Sequence, residues 1–100
     1  MIYDIKLNLW AKDDIEQVID YIENELFAPN LAERFARGLY EKINQLKLNA
    51  DVFAKSTYKD ISKYDAVVRH VIYKGFAIVY SIRGNLVVVH RVIHGSLIRE

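Results

Sequence analysis

Two histidines, His90 and His94, stand four positions apart in the stretch VVVHRVIHGSLIR near the end of the chain. On a helix, this spacing would let both imidazoles bind one zinc ion. The valines and isoleucines around them predict a strand instead. Four strand residues span roughly 13 Å, whereas each ligand nitrogen must lie about 2 Å from the metal. We therefore predict no metal site, and the sequence indicates no other cofactor.

His94 is also a candidate for general acid–base catalysis. A histidine side chain titrates at about pH 6.5, so it can accept or donate a proton at physiological pH. Catalysis also requires an organised partner, and the sequence by itself identifies none. The alternative interpretation is a partly exposed histidine at the end of a strand, and the residues alone leave both open.

Positive charge is concentrated in the second half of the chain. Residues 51–100 contain eight lysines and arginines against four acids, whereas residues 1–50 contain six against nine. The candidates for binding an anion are Lys55, Lys59 and Lys63 in an aperiodic loop, and Arg69, Arg83 and Arg91 in or beside the predicted strands. Together they could bind a phosphate or a carboxylate. The alternative is an ordinary mixed surface, because the charge excess is modest.

The position of Arg69 depends on which strand face meets the helices. Alternation places Arg69 on the same face as Val71 and Tyr73, with His70 and Ile72 on the other. We expect purely apolar side chains to cover the helices. Arg69 is therefore expected on the open face of the sheet, or at its rim beside the lysine loop.

The first half of the chain predicts one strand and two helices. IYDIKL alternates as a half-buried strand does, and Asn8 is placed to cap the helix that follows. That helix has an apolar stripe at helical spacing, formed by Ile15, Val18, Ile19, Ile22 and Leu26. Its acids, Asp13 and Asp14 among them, are interpreted as a solvated face. After the break at FAPN, Asn30 and Glu33 predict a capping box at the start of the second helix.

The second half predicts three strands, AVVRHVIY, FAIVYSI and LVVVHRVIH. Tight turns at Lys74-Gly75 and at Gly84-Asn85 connect them, and short turns force neighbouring strands to pair antiparallel. The element order is β-α-α-β-β-β. We predict the α+β class, with a helical hairpin packed on one face of a small, antiparallel, twisted sheet.

Length and composition predict one domain over residues 1–100. At 52% apolar residues, the chain can bury a core without disulfides, and it contains no cysteine. Its apolar runs are short and interrupted by charge, and its beginning has no signal-peptide pattern. We predict a cytoplasmic protein that has no membrane partner.

Several stretches together resemble the RelE/ParE toxin superfamily. WAKDDIEQVIDYI is similar to the first-helix signature of that superfamily, and APNLAERF is similar to the start of its second helix. VRHVIYKGFAIVYSI and VVVHRVIHGS resemble its last three strands, with the matching residues at Arg69, Tyr80 and His94. The resemblance covers nearly the whole chain. A proline common after the second helix is absent from the stretch 49–51.

The resemblance implies the toxin of a type II toxin–antitoxin module, with growth inhibition and plasmid stabilisation as the associated functions. A cognate antitoxin would then wrap the toxin, and its acidic, disordered tail would suit the basic second half. The candidates for contacting the antitoxin or the target are Lys63, Arg69, Arg83, Arg91 and His94. The resemblance leaves open a homodimer or a heterotetramer with the antitoxin.

The superfamily divides by target, and two positions favour one branch. Ribosome-dependent mRNA endoribonucleases resembling RelE tend to carry a basic residue where this chain has Ala77, and an arginine where it has Leu97. Cleaving RNA without a metal requires cations at the phosphate. We therefore favour the ParE-like branch, which inhibits DNA gyrase by binding. The alternatives are an endoribonuclease using His94, Arg69, Lys55 and Lys59, and an inactive member that only binds its antitoxin.

Overall fold

A four-stranded mixed sheet carries two helices on one face. The computed structural model describes residues 2–56, 65 and 67–97. The elements are β1 (Asp4–Leu7), α1 (Leu9–Asp20) with a π-helical turn (Tyr21–Glu25), α2 (Pro29–Asn49), β2 (Arg69–Tyr73), β3 (Phe76–Arg83), β4 (Leu86–His94) and a closing 3₁₀ turn (Gly95–Leu97). The predicted α+β class and element order are confirmed.

The sheet has the order β1-β4-β3-β2, and its pairing is not wholly antiparallel. β2, β3 and β4 form the predicted antiparallel meander, but β1 pairs parallel to β4, with Ile5 opposite Val87. A short turn dictates the direction of the strands that it joins. No short turn joins β1 to a neighbouring strand, so its direction is decided by where the two helices return the chain.

The hairpin turns and the cap of the first helix lie where the sequence predicts them. Lys74 and Gly75 both have positive φ, at 45° and 84°, as a two-residue hairpin turn with matching twist requires. The Asn8 side chain accepts a hydrogen bond of 2.9 Å from the backbone N–H of Ala11.

The predicted capping box of α2 is wrong. This helix begins at Pro29, one residue before Asn30, because a proline without an N–H fits the first helical position.

The main core lies between the helices and one face of the sheet. It is built from the inward stripes of α1 and α2 and from alternate residues of β2, β3 and β4: Ala11, Ile15, Phe35, Leu39, Ile43, Leu46, Val71, Ile78, Tyr80, Val87, Val89 and Val92. No helix within the described residues has the length and apolarity needed to cross a membrane.

The opposite face of the sheet is not the open, solvated surface that the sequence predicts. Val68, Ala77 and Val79 are fully buried there and form a second, smaller cluster with Ile93. Ser81 and His90 are buried as well. This face therefore offers less open surface than the sequence predicts, although Ile72 on it is 49% exposed.

Gly38 in α2 allows Tyr73 to pack against the helix. A Cβ at position 38 would lie 2.0 Å from the Tyr73 hydroxyl oxygen and 2.9 Å from its ring carbon Cζ. We expect Gly38→Ala to lower the free energy of unfolding by about 1–3 kcal/mol, because the ring must shift out of its packed position. Urea denaturation of Gly38→Ala in the wild-type and Tyr73→Ala backgrounds measures this. Since Tyr73→Ala removes the whole ring, an equal cost of Gly38→Ala in both backgrounds would contradict the steric explanation.

Candidate functional site

A groove of about 570 Å³ runs between the first helix and the end of the sheet where β3 begins and β4 finishes. Its lining is mainly apolar and consists of Asp14, Gln17, Val18, Tyr21, Ile22, Phe76, Val92, Ile93, His94 and Leu97. Tyr21 is 54% exposed and Leu97 is 53% exposed, so large apolar groups are offered to solvent along it. Sequence reasoning identified none of these as binding residues except His94, because the groove exists only after helix and sheet have packed.

His94 is exposed at one end of this groove. Its ring stacks on Phe76 with a centroid distance of 4.6 Å. Among the described residues that line the groove there is no lysine or arginine, and Asp14 is the charged one. In its described residues the groove therefore offers an imidazole and apolar surface, and no cation that could stabilise a phosphate.

Arg69 and Lys55 lie at the other end of the sheet. Arg69 is paired with Tyr80 on β3, whereas His94 is paired with Phe76. Phe76 and Tyr80 are four strand residues apart, which corresponds to roughly 13 Å. Lys55 forms a single β-bridge with Arg69 and shares its location. The structure thus separates His94 from these two candidates, and Lys59 and Lys63 lie outside the described residues.

Arg69 is at the rim of the sheet beside Lys55, but on the side of the helices rather than on the opposite face. Its guanidinium donates to the backbone carbonyl oxygens of Asp51, at 3.1 Å, and of Phe53. Tyr80 donates its hydroxyl to the carbonyl of Ala50 at 2.6 Å. Burial raises the pKa of Tyr80 to about 12. These contacts hold the chain where α2 ends, which is a structural role.

Arg91 and Asp14 form a largely buried ion pair at the edge of β4. The guanidinium Nε and Nη2 lie 2.7 and 2.9 Å from the two carboxylate oxygens. Asp14 also accepts a 3.0 Å hydrogen bond from the backbone N–H of Val92. Arg91 additionally lies 5.7 Å from the ring centroid of the exposed Trp10. Asp14 is therefore not part of the solvated face to which the sequence assigned it.

Arg83 forms an ion pair with Asp65. Both residues lie beside the buried pair Ser81 and His90, on the face of the sheet turned away from the helices. Arg83 donates to one carboxylate oxygen at 3.1 and 2.9 Å. Ser81 Oγ lies 2.8 Å from His90 Nε2, and the same nitrogen is 3.8 Å from Asp65. Serine, histidine and aspartate do not form a catalytic relay here, because both partners meet one ring nitrogen and Ser81 is only 2% exposed.

Burial lowers the pKa of His90, with Asp65 raising it and Arg83 lowering it as weaker effects. A group whose pKa is lowered on folding stabilises the fold above its unfolded pKa, about 6.5, and loses that contribution as the pH falls below it. We expect the free energy of unfolding to decrease from pH 7.5 to 5.5, and to decrease less in His90→Asn. Urea denaturation at both values measures this, and an equal decrease in the two proteins would contradict it. His70, whose pKa burial also lowers, is expected to contribute to the remaining slope.

Comparison with known proteins gives a family and a fold. The model of a family described as "ParE toxin of type II toxin-antitoxin system, parDE" matches residues 5–98. Among solved structures, the chain resembles the chromosomal ParDE TA system from P. aeruginosa, with a TM-score of 0.75 and 18% identity, over 93% of this chain and 96% of that one. A search of curated protein sequences finds no match.

Proposed function

This chain belongs to the ParE toxin family of type II toxin–antitoxin systems, and we propose that it halts growth by binding and inhibiting DNA gyrase. We also propose that a cognate antitoxin neutralises it. Because gyrase acts on DNA inside the cell, the proposal includes a cytoplasmic location. Plasmid stabilisation belongs to the same proposal.

The observation that carries the proposal is the separation of His94 from Arg69 and Lys55. Metal-independent RNA cleavage needs a base and cations around one phosphate. Here the imidazole is in an apolar groove, and the two described candidate cations are at the far end of the sheet, roughly 13 Å along the strand. Arg83 and Arg91 hold carboxylates at short distance. A surface of this kind favours inhibition by binding over catalysis.

The groove between the first helix and the sheet supports antitoxin binding. Its mainly apolar lining and its volume of about 570 Å³ suit the apolar side of a helix or an extended segment laid along it. The solved relative's ParDE name describes a toxin–antitoxin system, which supports an antitoxin as the partner. The mass of the purified species will distinguish a heterotetramer of toxin and antitoxin from a homodimer of the toxin.

A ribosome-dependent mRNA endoribonuclease is the second candidate, and the exposed His94 imidazole is the observation that favours it. The two candidates differ in what fails first in the cell. We expect induction of the chain without antitoxin to stop growth, to inhibit supercoiling of plasmid DNA and to leave mRNA intact. Cleaved mRNA with normal supercoiling, lost in His94→Ala, would establish the endoribonuclease. Unaffected growth would exclude both and leave an inactive antitoxin-binding member.

A further inference from the structure

The turn between the two helices presents three apolar side chains to solvent. Leu26 is 50% exposed, Phe27 is 85% exposed and Leu31 is 43% exposed. We call these three residues the hairpin tip. Only Phe27 among them has a backbone conformation that its side chain disfavours, and this combination of exposure and strain is the basis of the inference.

Phe27 has a φ of 50°, in the left-handed region. The helix ends there with two closing hydrogen bonds, from Leu26 N–H to the carbonyl of Tyr21 and from Ala28 N–H to that of Ile22, each 3.1 Å. The second bond joins residues six positions apart, one more than in the Schellman motif, and it closes a helix whose last turn is π-helical. Phe27 still takes the left-handed position that follows the helix in that motif. Glycine is the usual residue at that position because it has no Cβ. An aromatic residue there carries a conformational cost that glycine would not.

The fold does not recover that cost through packing. An apolar residue just before a helix can pack onto the first turn as a hydrophobic staple, which would place Phe27 against Ala32. Ala32 is buried in the core, but Phe27 is 85% exposed. Lys74, the other described non-glycine residue with positive φ, is polar and sits in a hairpin turn. Phe27 is thus both strained and unpacked, as expected for a residue kept for binding.

The first-helix side of the hairpin tip is acidic. Asp20, Glu23 and Glu25 are all exposed there, and residues 13–33 contain no lysine or arginine. On the α2 side the charges are mixed, because Glu33 forms an ion pair with Arg37. A partner that accepts this surface must therefore combine an apolar pocket with a basic rim, because opposite charges at a rim favour the correct encounter.

We propose that the hairpin tip is the surface that engages the toxin's target, with Phe27 inserted into an apolar, basic-rimmed pocket of that protein. The hairpin tip residues do not line the groove assigned to the antitoxin. Target and antitoxin therefore contact different surfaces. The inference rests on the proposed function in one respect, which is that the chain acts by binding a protein rather than by cleaving RNA.

Phe27→Gly and Phe27→Asn test the proposal, since both residues tolerate positive φ. Each variant should keep a Tm no lower than that of the wild type and should bind the antitoxin unchanged. The induced level of toxin that halts growth should rise at least about tenfold, as expected when an aromatic anchor is lost from an interface. Val52→Asn, which replaces another exposed apolar loop residue, 74% exposed, is the matched control and should behave as the wild type.

Each outcome has one meaning. Growth arrest by the Phe27 variants at the wild-type level overturns the proposal, and so does a loss of antitoxin binding, which would assign the hairpin tip to the antitoxin. A wild-type chain that halts growth without inhibiting gyrase overturns the choice of gyrase and leaves the hairpin tip to be judged by the growth measurement. A wild-type chain that does not affect growth overturns both proposals.

Discussion

Replacing Asp14 with alanine is expected to lower the free energy of unfolding by about 3 kcal/mol, as removing one partner of a buried ion pair does. Asp14 satisfies the guanidinium of Arg91 through two hydrogen bonds and the backbone N–H of Val92 through a third. β1 ends opposite Val89, so no strand continues along β4 to take over that N–H. The alanine variant would remove two hydrogen bonds from the Arg91 guanidinium and the carboxylate acceptor of the Val92 N–H together.

Asp13 provides the matched control for this prediction. It is the preceding residue, exposed, and its carboxylate accepts from the side chain of Gln17 four residues later. Asp13→Ala should change the free energy of unfolding by less than about 0.5 kcal/mol, as surface substitutions usually do. Urea denaturation of both variants measures the difference. Equal stabilities of Asp14→Ala and Asp13→Ala would show that the ion pair does not fasten the first helix to β4.

Placing a charge in the groove is the second prediction with a large effect. Tyr21→Glu should weaken antitoxin binding at least about 100-fold, because an unpaired carboxylate would be desolvated by an apolar partner in place of a phenol. Tyr40 on α2 is similarly exposed, at 46% against 54%, but lines a different surface depression with Arg37 and Glu41. Tyr40→Glu should therefore leave the affinity unchanged.

Isothermal titration of the antitoxin into the wild-type chain and the two variants measures the affinities. Circular dichroism before titration establishes that both variants are folded. If Tyr40→Glu weakened binding and Tyr21→Glu did not, the antitoxin would have to lie on the far side of α2, and the assignment of the groove would be wrong.

The sequence predicts well the features that depend on interactions between residues close together in the chain. The Asn8 cap and the Lys74-Gly75 turn each follow from a few adjacent residues, and both are confirmed. The meander of β2, β3 and β4 follows because short turns leave no alternative pairing. The parallel pairing of β1 with β4 depends instead on where two helices deliver the chain, and no local pattern contains that information.

At the candidate site, too, residue types predict less than the packing of distant elements decides. Asp13 and Asp14 are identical in type and adjacent, yet one is exposed and the other holds Arg91, because only Asp14 faces the edge of β4. A one-residue change of position rotates a helical side chain by about 100°, so composition cannot distinguish the two. His94 could be identified from its type, whereas the groove that surrounds it required the packing of distant elements.

The backbone conformation of Phe27 could not be predicted from the sequence either. The stretch FAPN predicts an interruption between helices, and the interruption is found there. Nothing in the residue types indicates that the aromatic residue, and not a glycine or an asparagine, takes the left-handed position. Strain at an unfavourable residue is visible only in the dihedral angles, which is why the hairpin tip was not among the binding candidates from sequence.

Supercoiling of relaxed plasmid DNA by purified gyrase, with the purified chain added in increasing amounts, is the decisive test of gyrase inhibition. We predict that the wild-type chain and His94→Ala inhibit supercoiling at the same concentration, and that added antitoxin restores supercoiling. Full supercoiling at every concentration, together with His94-dependent cleavage of mRNA on translating ribosomes, would contradict gyrase inhibition.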